Sequence, residues 1–348
     1  MHSFESDYTA GARVEILRRL NETNLEQLPG YGSDKYCESA KEKIRAACDC
    51  PGADIFFMVG GTQTNLLAAA AFLRPWEAMV AADTGHVNVH ETGAIEATGH
   101  KVIAMPGADG KLTPAAIATA AAQHCAQPGI YDEHMVLPRM AYISDTTELG
   151  TVYTKAELTA LRAACDAHGL YLYLDGARLA QALTATGNDL RPEDLPQLCD
   201  AFYIGGTKNG LLFGEAMVIV NDALKPGFRR AMKRSGAMLA KGRLLGVQFA
   251  AALEQDLWLD MGRHANTQAQ RIAAALSNLG VPMYVPSPTN QIFPILPDDQ
   301  IARLQERVAF HTNTRVDETH QAVRFVTSWA TTDAQVDALL AVLNEVLG

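Results

Sequence analysis

The sequence predicts an α/β protein: a mostly parallel seven-stranded sheet sandwiched by helices, followed by a small C-terminal α+β domain. Three observations carry this. Short apolar runs alternate with helix-like stretches from residue 54 to residue 220. Several of the helices open on recognisable capping chemistry. After residues 282–288, rich in proline, the rhythm changes to closely spaced short strands.

Residues 54–59 read as the first strand, and Gly60-Gly61-Thr62 opens an alanine-rich helix through Leu73. Residues 78–82 and 101–105 are the next two strands. Thr113 and Pro114 supply an N-cap and a first-turn proline for a helix through His124. A strand at 140–144 follows, then the capping box Thr154-Lys155-Ala156-Glu157 starts a helix to His168. Strands at 170–174, 201–204 and 216–220 complete the seven. Such strands, separated by helices, fit a sheet covered on both faces. A helical region over 228–279 is expected to break near Gly262. From Asn290 the chain reads β-α-β-β-α: a strand at 291–295, a helix through Val308, strands at 309–312 and 322–326, and a helix from Thr332. The expected division is an N-terminal segment contributing to the site (1–24), a large domain (25–250) and the small domain (251–348).

Bulk properties narrow the function. The chain has 348 residues, 48% hydrophobic and 20% charged, which is ordinary globular usage. A net charge of −10 argues against a nucleic-acid surface. The six cysteines lack zinc-finger spacing, and Cys48 and Cys50 have no second pair to complete a site. The N-terminus has neither the basic nor the apolar region of a secretory signal, and the apolar run over 66–73 is too short for a bilayer. The expectation is a cytoplasmic protein that binds no nucleic acid and no membrane.

Ligands on such sheets gather beyond the C-terminal strand ends, where Asp83, Ser144, Asp175 and Gly205 fall. Lys208 follows the strand Phe202-Tyr203-Ile204 and the glycines Gly205 and Gly206. One strand earlier, Leu174 is followed by Asp175. A lysine and an acid so placed suit pyridoxal 5'-phosphate. The lysine forms a Schiff base with the cofactor aldehyde, and the acid pairs with the protonated ring nitrogen, which makes the ring an electron sink. Gly60-Gly61-Thr62 marks either a helix N-terminus for a phosphate or a plain strand-to-helix turn. Arg178, three residues past the aspartate, is either a cation for the cofactor or a substrate carboxylate, or a member of a surface ion pair. His86 and His90 sit four apart, but a zinc motif of this kind needs glutamate directly after the first histidine and Val87 stands there, so no metal is expected.

These segments, in order and spacing, resemble the threonine aldolases of the fold type I, aspartate-aminotransferase-like pyridoxal phosphate enzymes. The resemblance rests on Ser6-Asp7, Tyr31-Gly32-Ser33-Asp34, Gly60-Gly61-Thr62, His86 with Glu91 and Gly93, Leu174-Asp175-Gly176-Ala177-Arg178-Leu179, Gly206-Thr207-Lys208-Asn209-Gly210 and Val323-Arg324-Phe325-Val326-Thr327. It implies catalytic roles for Lys208, Asp175 and His86, the histidine stacking on the cofactor ring and facing the substrate β-hydroxyl. It implies that Gly60, Gly61, Thr62, Arg178 and Thr207 help hold the cofactor, with Arg243, or Lys241 beside it, reaching a neighbouring subunit's phosphate. Arg324 and Ser6 would orient the α-carboxylate, with Tyr31, His90 and Arg178 also near the substrate. The implied reaction is reversible retro-aldol cleavage of L-threonine, L-allo-threonine or a related L-β-hydroxy-α-amino acid to glycine and an aldehyde, in a homodimer or homotetramer with shared active sites. One departure stands out. Some members carry a second active-site histidine in the segment matching Asp145-Thr146-Thr147-Glu148, and this chain has none there, which places it nearer a subgroup with phenylserine-cleaving members. The alternatives are β-elimination or transamination on the same scaffold, or a non-catalytic ligand-binding protein.

Overall fold

The structure, a computed structural model, describes residues 2–348. Its centre is a seven-stranded sheet of β1 (Asp54–Met58), β2 (Glu77–Ala82), β3 (Val102–Met105), β4 (Leu137–Ser144), β5 (Tyr171–Asp175), β6 (Ala201–Gly205) and β7 (Glu215–Ile219). Their spatial order is β1-β7-β6-β5-β4-β2-β3. Every pairing is parallel except those of β7, which runs antiparallel to both β1 and β6. The reversal has a functional consequence. It brings Glu215, the first residue of β7, opposite Met58 and Gly205, the last residues of its neighbours.

Side chains alternate across the sheet, and both faces are buried. One face presents Ile55, Val80, Ile143, Leu172, Leu174, Phe202 and Ile204 to helices that include Lys35–Ala47, Lys155–His168 and Arg243–Ala252. The other presents Met58, Met79, Tyr142, Tyr173, Tyr203 and Met217, covered by helices Gly61–Phe72 and Phe228–Arg234, whose Phe72 and Phe228 stack at 5.5 Å. The expected helix starts are present: Thr113 accepts from the Ala116 N–H, with Pro114 in the first turn, and Thr154 and Glu157 form a complete capping box.

The expected break at Gly262 does not occur. One helix, Leu257–Asn278, runs straight through it. Glycine is needed there for close approach, since a Cβ would lie 2.6 Å from the carbonyl of Ala180 on a crossing helix. The interruptions lie earlier, between helices Phe228–Arg234 and Arg243–Ala252, and at Gln255 and Asp256, whose φ values are 53° and 58°. The first half of the long helix packs Trp258 and Met261 into the sheet's core. Its second half packs Ala269, Ile272 and Leu276 into a separate core with Phe325, Val336 and Leu339.

That second core lies under an antiparallel sheet of Gln291–Ile292, Ile295–Pro297, His311–Arg315 and His320–Val326. The single strand expected at 291–295 is split at Phe293-Pro294, where proline has no N–H for a ladder. The N-terminal arm is stitched to this unit. His2–Ser3 pairs with Val308–Ala309, the Val326 N–H donates to the Phe4 carbonyl at 2.8 Å, and Phe4 is buried edge-on against Phe325. The arm is thereby aimed so that residues 5–8 reach the sheet's C-terminal edge. Among the described residues, no helix is long and apolar enough to cross a membrane.

Candidate active site

A cavity of about 210 Å³ opens at that edge, lined by Lys208, Asp175, His86, Glu148, Glu215 and the Gly60–Thr62 turn among others. Each arrives from a strand end. Asp175 closes β5, Lys208 lies three residues beyond β6, Gly60 lies two beyond β1, and His86 opens a short helix after β2. Asp83, also at a strand end, turns away: it is exposed and accepts from the N–H groups of Thr84 and Gly107.

Asp175 is buried and fully engaged. Its Oδ2 accepts from Asn65 Nδ2 at 2.9 Å and the Tyr142 hydroxyl at 2.7 Å. Its Oδ1 accepts from the Ala177 N–H at 3.0 Å and from the Tyr203 hydroxyl. Burial works to raise its pKa, but His86 and these donors outweigh it and hold the carboxyl below its ordinary value. Asn65 and Glu91 extend the network. Asn65 Nδ2 also donates to Glu91 Oε1 at 2.8 Å, and the same oxygen accepts from His86 Nδ1 at 2.8 Å. His86 is thus tethered to the ring acid through two intermediates. Burial lowers its pKa, yet the bond to Glu91 and the charges of Glu148 and Asp175 prevail, so the net shift is upward.

Lys208 makes no hydrogen bond or ion pair with any described residue, and burial together with the nearby Arg178 charge lowers its pKa. Neighbouring Thr207 points its hydroxyl at Glu215 Oε1, 2.7 Å away, while the Gly206 N–H donates to Glu215 Oε2 at 3.1 Å. Burial pushes Glu215 up to about 8. The helix Gly61–Phe72 turns free N–H groups toward the cavity at its start. Gly61 fits where nothing larger does, because a Cβ would sit 2.9 Å from the Tyr203 hydroxyl.

Arg178 is no surface ion pair. Its Nε and Nη2 grip Asp7 at 2.7 and 3.2 Å, and both side chains are buried, with Asn290 Nδ2 on Asp7 at 2.9 Å. Arg324 is different. Its Nη2 reaches only the Glu5 carbonyl at 3.3 Å, and its buried Nε has no partner. Val323 and Phe325 point into the core, as the alternation predicts. Ser6 lies between Glu5 and Asp7, the residues these two arginines hold.

Three expected residues do not line this cavity. Arg243 is not in the cavity: its guanidinium donates to the carbonyls of Thr23, Asn24 and Glu26, just past the C-terminus of helix Val14–Glu22, where cations are favoured. Tyr31 is exposed, adopts a left-handed φ of 60°, and carries Lys233 Nζ over its ring at 4.6 Å. His90 is exposed, its ring centroid 5.6 Å from that of His86. Among the described residues, no three potential metal-binding side chains cluster.

Tyr142, Tyr203, Asn65, Glu148 and Glu215 were not singled out from the sequence as site residues. The tyrosines did have a signal. Tyr142, Tyr173 and Tyr203 each stand two residues before a strand's last residue, and so share a face with Ser144, Asp175 and Gly205.

Residues 3–298 match the model of a family described as beta-eliminating lyase. A low specificity L-threonine aldolase of Pseudomonas aeruginosa is 32% identical over 350 residues, covering 99% of this chain and 98% of the relative. Among solved structures, a threonine aldolase of Leishmania major superposes with a TM-score of 0.97 at 45% identity, covering 100% of both chains. An aspartate aminotransferase of Thermus thermophilus, at 17% identity and a TM-score of 0.73 over 99% of this chain and 91% of its own, shares the fold. The chain therefore belongs to the beta-eliminating lyase family, is built on the fold type I scaffold, and stands among that family's threonine aldolases.

Proposed function

We propose that this chain uses pyridoxal 5'-phosphate to cleave L-threonine, L-allo-threonine or a related L-β-hydroxy-α-amino acid into glycine and an aldehyde, and that it catalyses the reverse reaction too. One observation carries the reading: Lys208, free of partners, shares a cavity with a fully ordered Asp175, while Arg324 keeps a buried, unpartnered Nε close to the N-terminal arm.

The residues present fit the cofactor. Lys208 has an amine free to attach it, and Asp175 has the lowered pKa of an acid that stays ionised beside a ring N–H. The N–H groups at Gly61 and Thr62 suit a phosphate. When bound, pyridoxal phosphate supplies an electron-accepting ring next to the substrate nitrogen. The chain does the rest. Arg324, helped by Ser6, clamps the α-carboxylate with a planar fork. His86, held by Glu91, faces the ring from the cavity wall. Thr207 is anchored through Glu215 and so fixes the turn that carries Lys208.

Among the described residues lining this cavity, Lys208 is the sole lysine or arginine, so the phosphate end lacks a cation of its own. This supports a shared active site. We place the active form as a dimer or a dimer of dimers, with Tyr31 and the loop before Arg243 near the contact, and we place the reaction in the cytoplasm. The family description names β-elimination, which breaks a bond at Cβ other than Cα–Cβ, and products distinguish the two. The first test is spectroscopic. Added pyridoxal phosphate should give a visible band that borohydride bleaches, leaving the cofactor's mass on the peptide containing Lys208. A mass on any other lysine would overturn the assignment.

A further inference from the structure

We propose that Glu148 is the catalytic residue that takes the proton from the substrate's β-hydroxyl in the cleavage reaction proposed above, on which this inference rests. Three carboxylates line the cavity: Asp175, Glu215 and Glu148. Asp175 already accepts from four protein donors and is the acid reserved for the cofactor ring nitrogen. Both oxygens of Glu215 accept hydrogen bonds from the turn that carries Lys208. Glu148 alone is unspent. Its one protein neighbour within hydrogen-bond reach is Ser144 Oγ, at a long 3.5 Å from Oε1, and no cation pairs with it.

It is nonetheless held firmly. The Thr147 N–H donates to the Thr151 carbonyl at 2.9 Å, the two threonine hydroxyls meet at 2.7 Å, and the Gly150 N–H closes on the Thr147 carbonyl at 2.9 Å. The Asp145 N–H ties the same segment to the Asp175 carbonyl at 2.9 Å. A rigid turn therefore presents an uncommitted carboxylate to the space that Lys208 and His86 share. Its charge is felt by His86, Lys208, Arg178 and Arg324. This is the segment in which the sequence lacks a histidine, and a carboxylate there answers what accepts the proton.

His86 suits the task less well. Its Nδ1 is committed to Glu91, which leaves Nε2 alone, and the neighbouring charges shift its pKa upward. The step balances without a further reactant. The β-oxygen's O–H bond breaks and the proton moves to Glu148. The O–H pair becomes the second C–O bond of the aldehyde, the Cα–Cβ bond breaks, and its pair stays with the glycine fragment until Cα takes up a proton.

The test compares two reactions of the cofactor-loaded enzyme. Cleavage of L-threonine needs the β-proton acceptor, whereas exchange of the glycine Cα hydrogens in D2O does not. In Glu148→Gln, kcat for aldehyde release should fall at least about 100-fold, the scale of a lost general base. The glycine dissociation constant, read from the visible spectrum, and the exchange rate should stay within about two-fold. Glu148→Asp should recover part of the cleavage. Unchanged cleavage by Glu148→Gln, with active wild type, would overturn the role. So would a parallel fall in exchange and cleavage, which would assign Glu148 to the fold or the cofactor. Wild-type enzyme that released no aldehyde would instead sink the proposed function, and this inference with it.

Discussion

The acidic wall of the cavity and the arginine pair held by the N-terminal arm are built on opposite plans. At the Asp175 end, two tyrosines, an asparagine and a backbone N–H fix the carboxylate in place, and the network runs on through Glu91 to His86. At the arginine end, Arg178 is closed off by Asp7, but Arg324 holds one weak carbonyl contact and an orphaned Nε. A buried donor without a partner costs about 1–3 kcal/mol. Such a cost persists in a native structure when a ligand removes it. The acid end is thus finished before anything binds, and the cation end is completed by what binds. Changes at the first should damage chemistry, and changes at the second should damage binding.

The largest effect belongs to the lysine between them. Lys208→Ala should lower turnover roughly 10,000-fold, about 5 kcal/mol at 1.36 kcal/mol per decade, and remove the borohydride-trapped adduct. Steady-state rates and intact mass check both. A fully active Lys208→Ala would erase the distinction between the two ends, because neither would face the reaction.

Asp175→Asn should keep the fold, since asparagine is nearly isosteric, its one carbonyl oxygen still accepts from one tyrosine, and the other tyrosine hydroxyl can turn to accept from its amide. It should cut turnover roughly 100- to 1,000-fold, the scale of losing one preorganised electrostatic partner. Circular dichroism and rate measurement separate the two claims. Unchanged turnover with cofactor bound would show that the ordered acid end is structural only.

Arg324→Ala and Arg324→Lys should both weaken amino-acid binding by about 2 kcal/mol or more, roughly 30-fold, while the cofactor spectrum hardly moves. Glycine titrations measure this. Wild-type glycine affinity in Arg324→Ala would transfer the carboxylate site to Arg178 and reverse the reading of the arginine end.

The smallest effect is on stability. Glu215 has a folded pKa of about 8 against an ordinary 4.5, so the folded chain holds a proton that the unfolded chain releases between those values. That proton favours the fold below about pH 4.5, and the advantage is lost as pH rises toward 8. Glu215→Gln should therefore gain about 3 kcal/mol relative to wild type at pH 7 and flatten the decline of Tm between pH 5 and 8. Parallel Tm curves for the two proteins would place the carboxyl in a wetter setting than its burial indicates.

Much of the frame was legible because it follows from local rules. Strand ends preceding glycines marked Gly60, Asp175 and Lys208, and capping residues marked two helices, so the sheet and the edge where chemistry gathers could be read directly. The partners were not legible, because they arrive by strand order. Glu215 joins the site only because β7 runs antiparallel between β1 and β6. Asp7 meets Arg178 only because the arm pairs with the C-terminal unit. Two ambiguities share a cause. A basic residue in an apolar stretch looks alike whether it caps carbonyls, as Arg243 does, or faces a phosphate. A glycine in a helix looks alike whether it breaks the helix or, like Gly262, lets another backbone approach. In both cases the deciding neighbour is remote in sequence.

The central claim, cleavage of the Cα–Cβ bond of a β-hydroxy-α-amino acid at Lys208, is tested most directly by product analysis. Purified protein with pyridoxal phosphate and L-threonine, and in parallel L-allo-threonine and phenylserine, should yield glycine and the matching aldehyde in equal amounts from at least one substrate. Ammonia with a 2-keto acid, and no glycine, would contradict the account and establish β-elimination in its place.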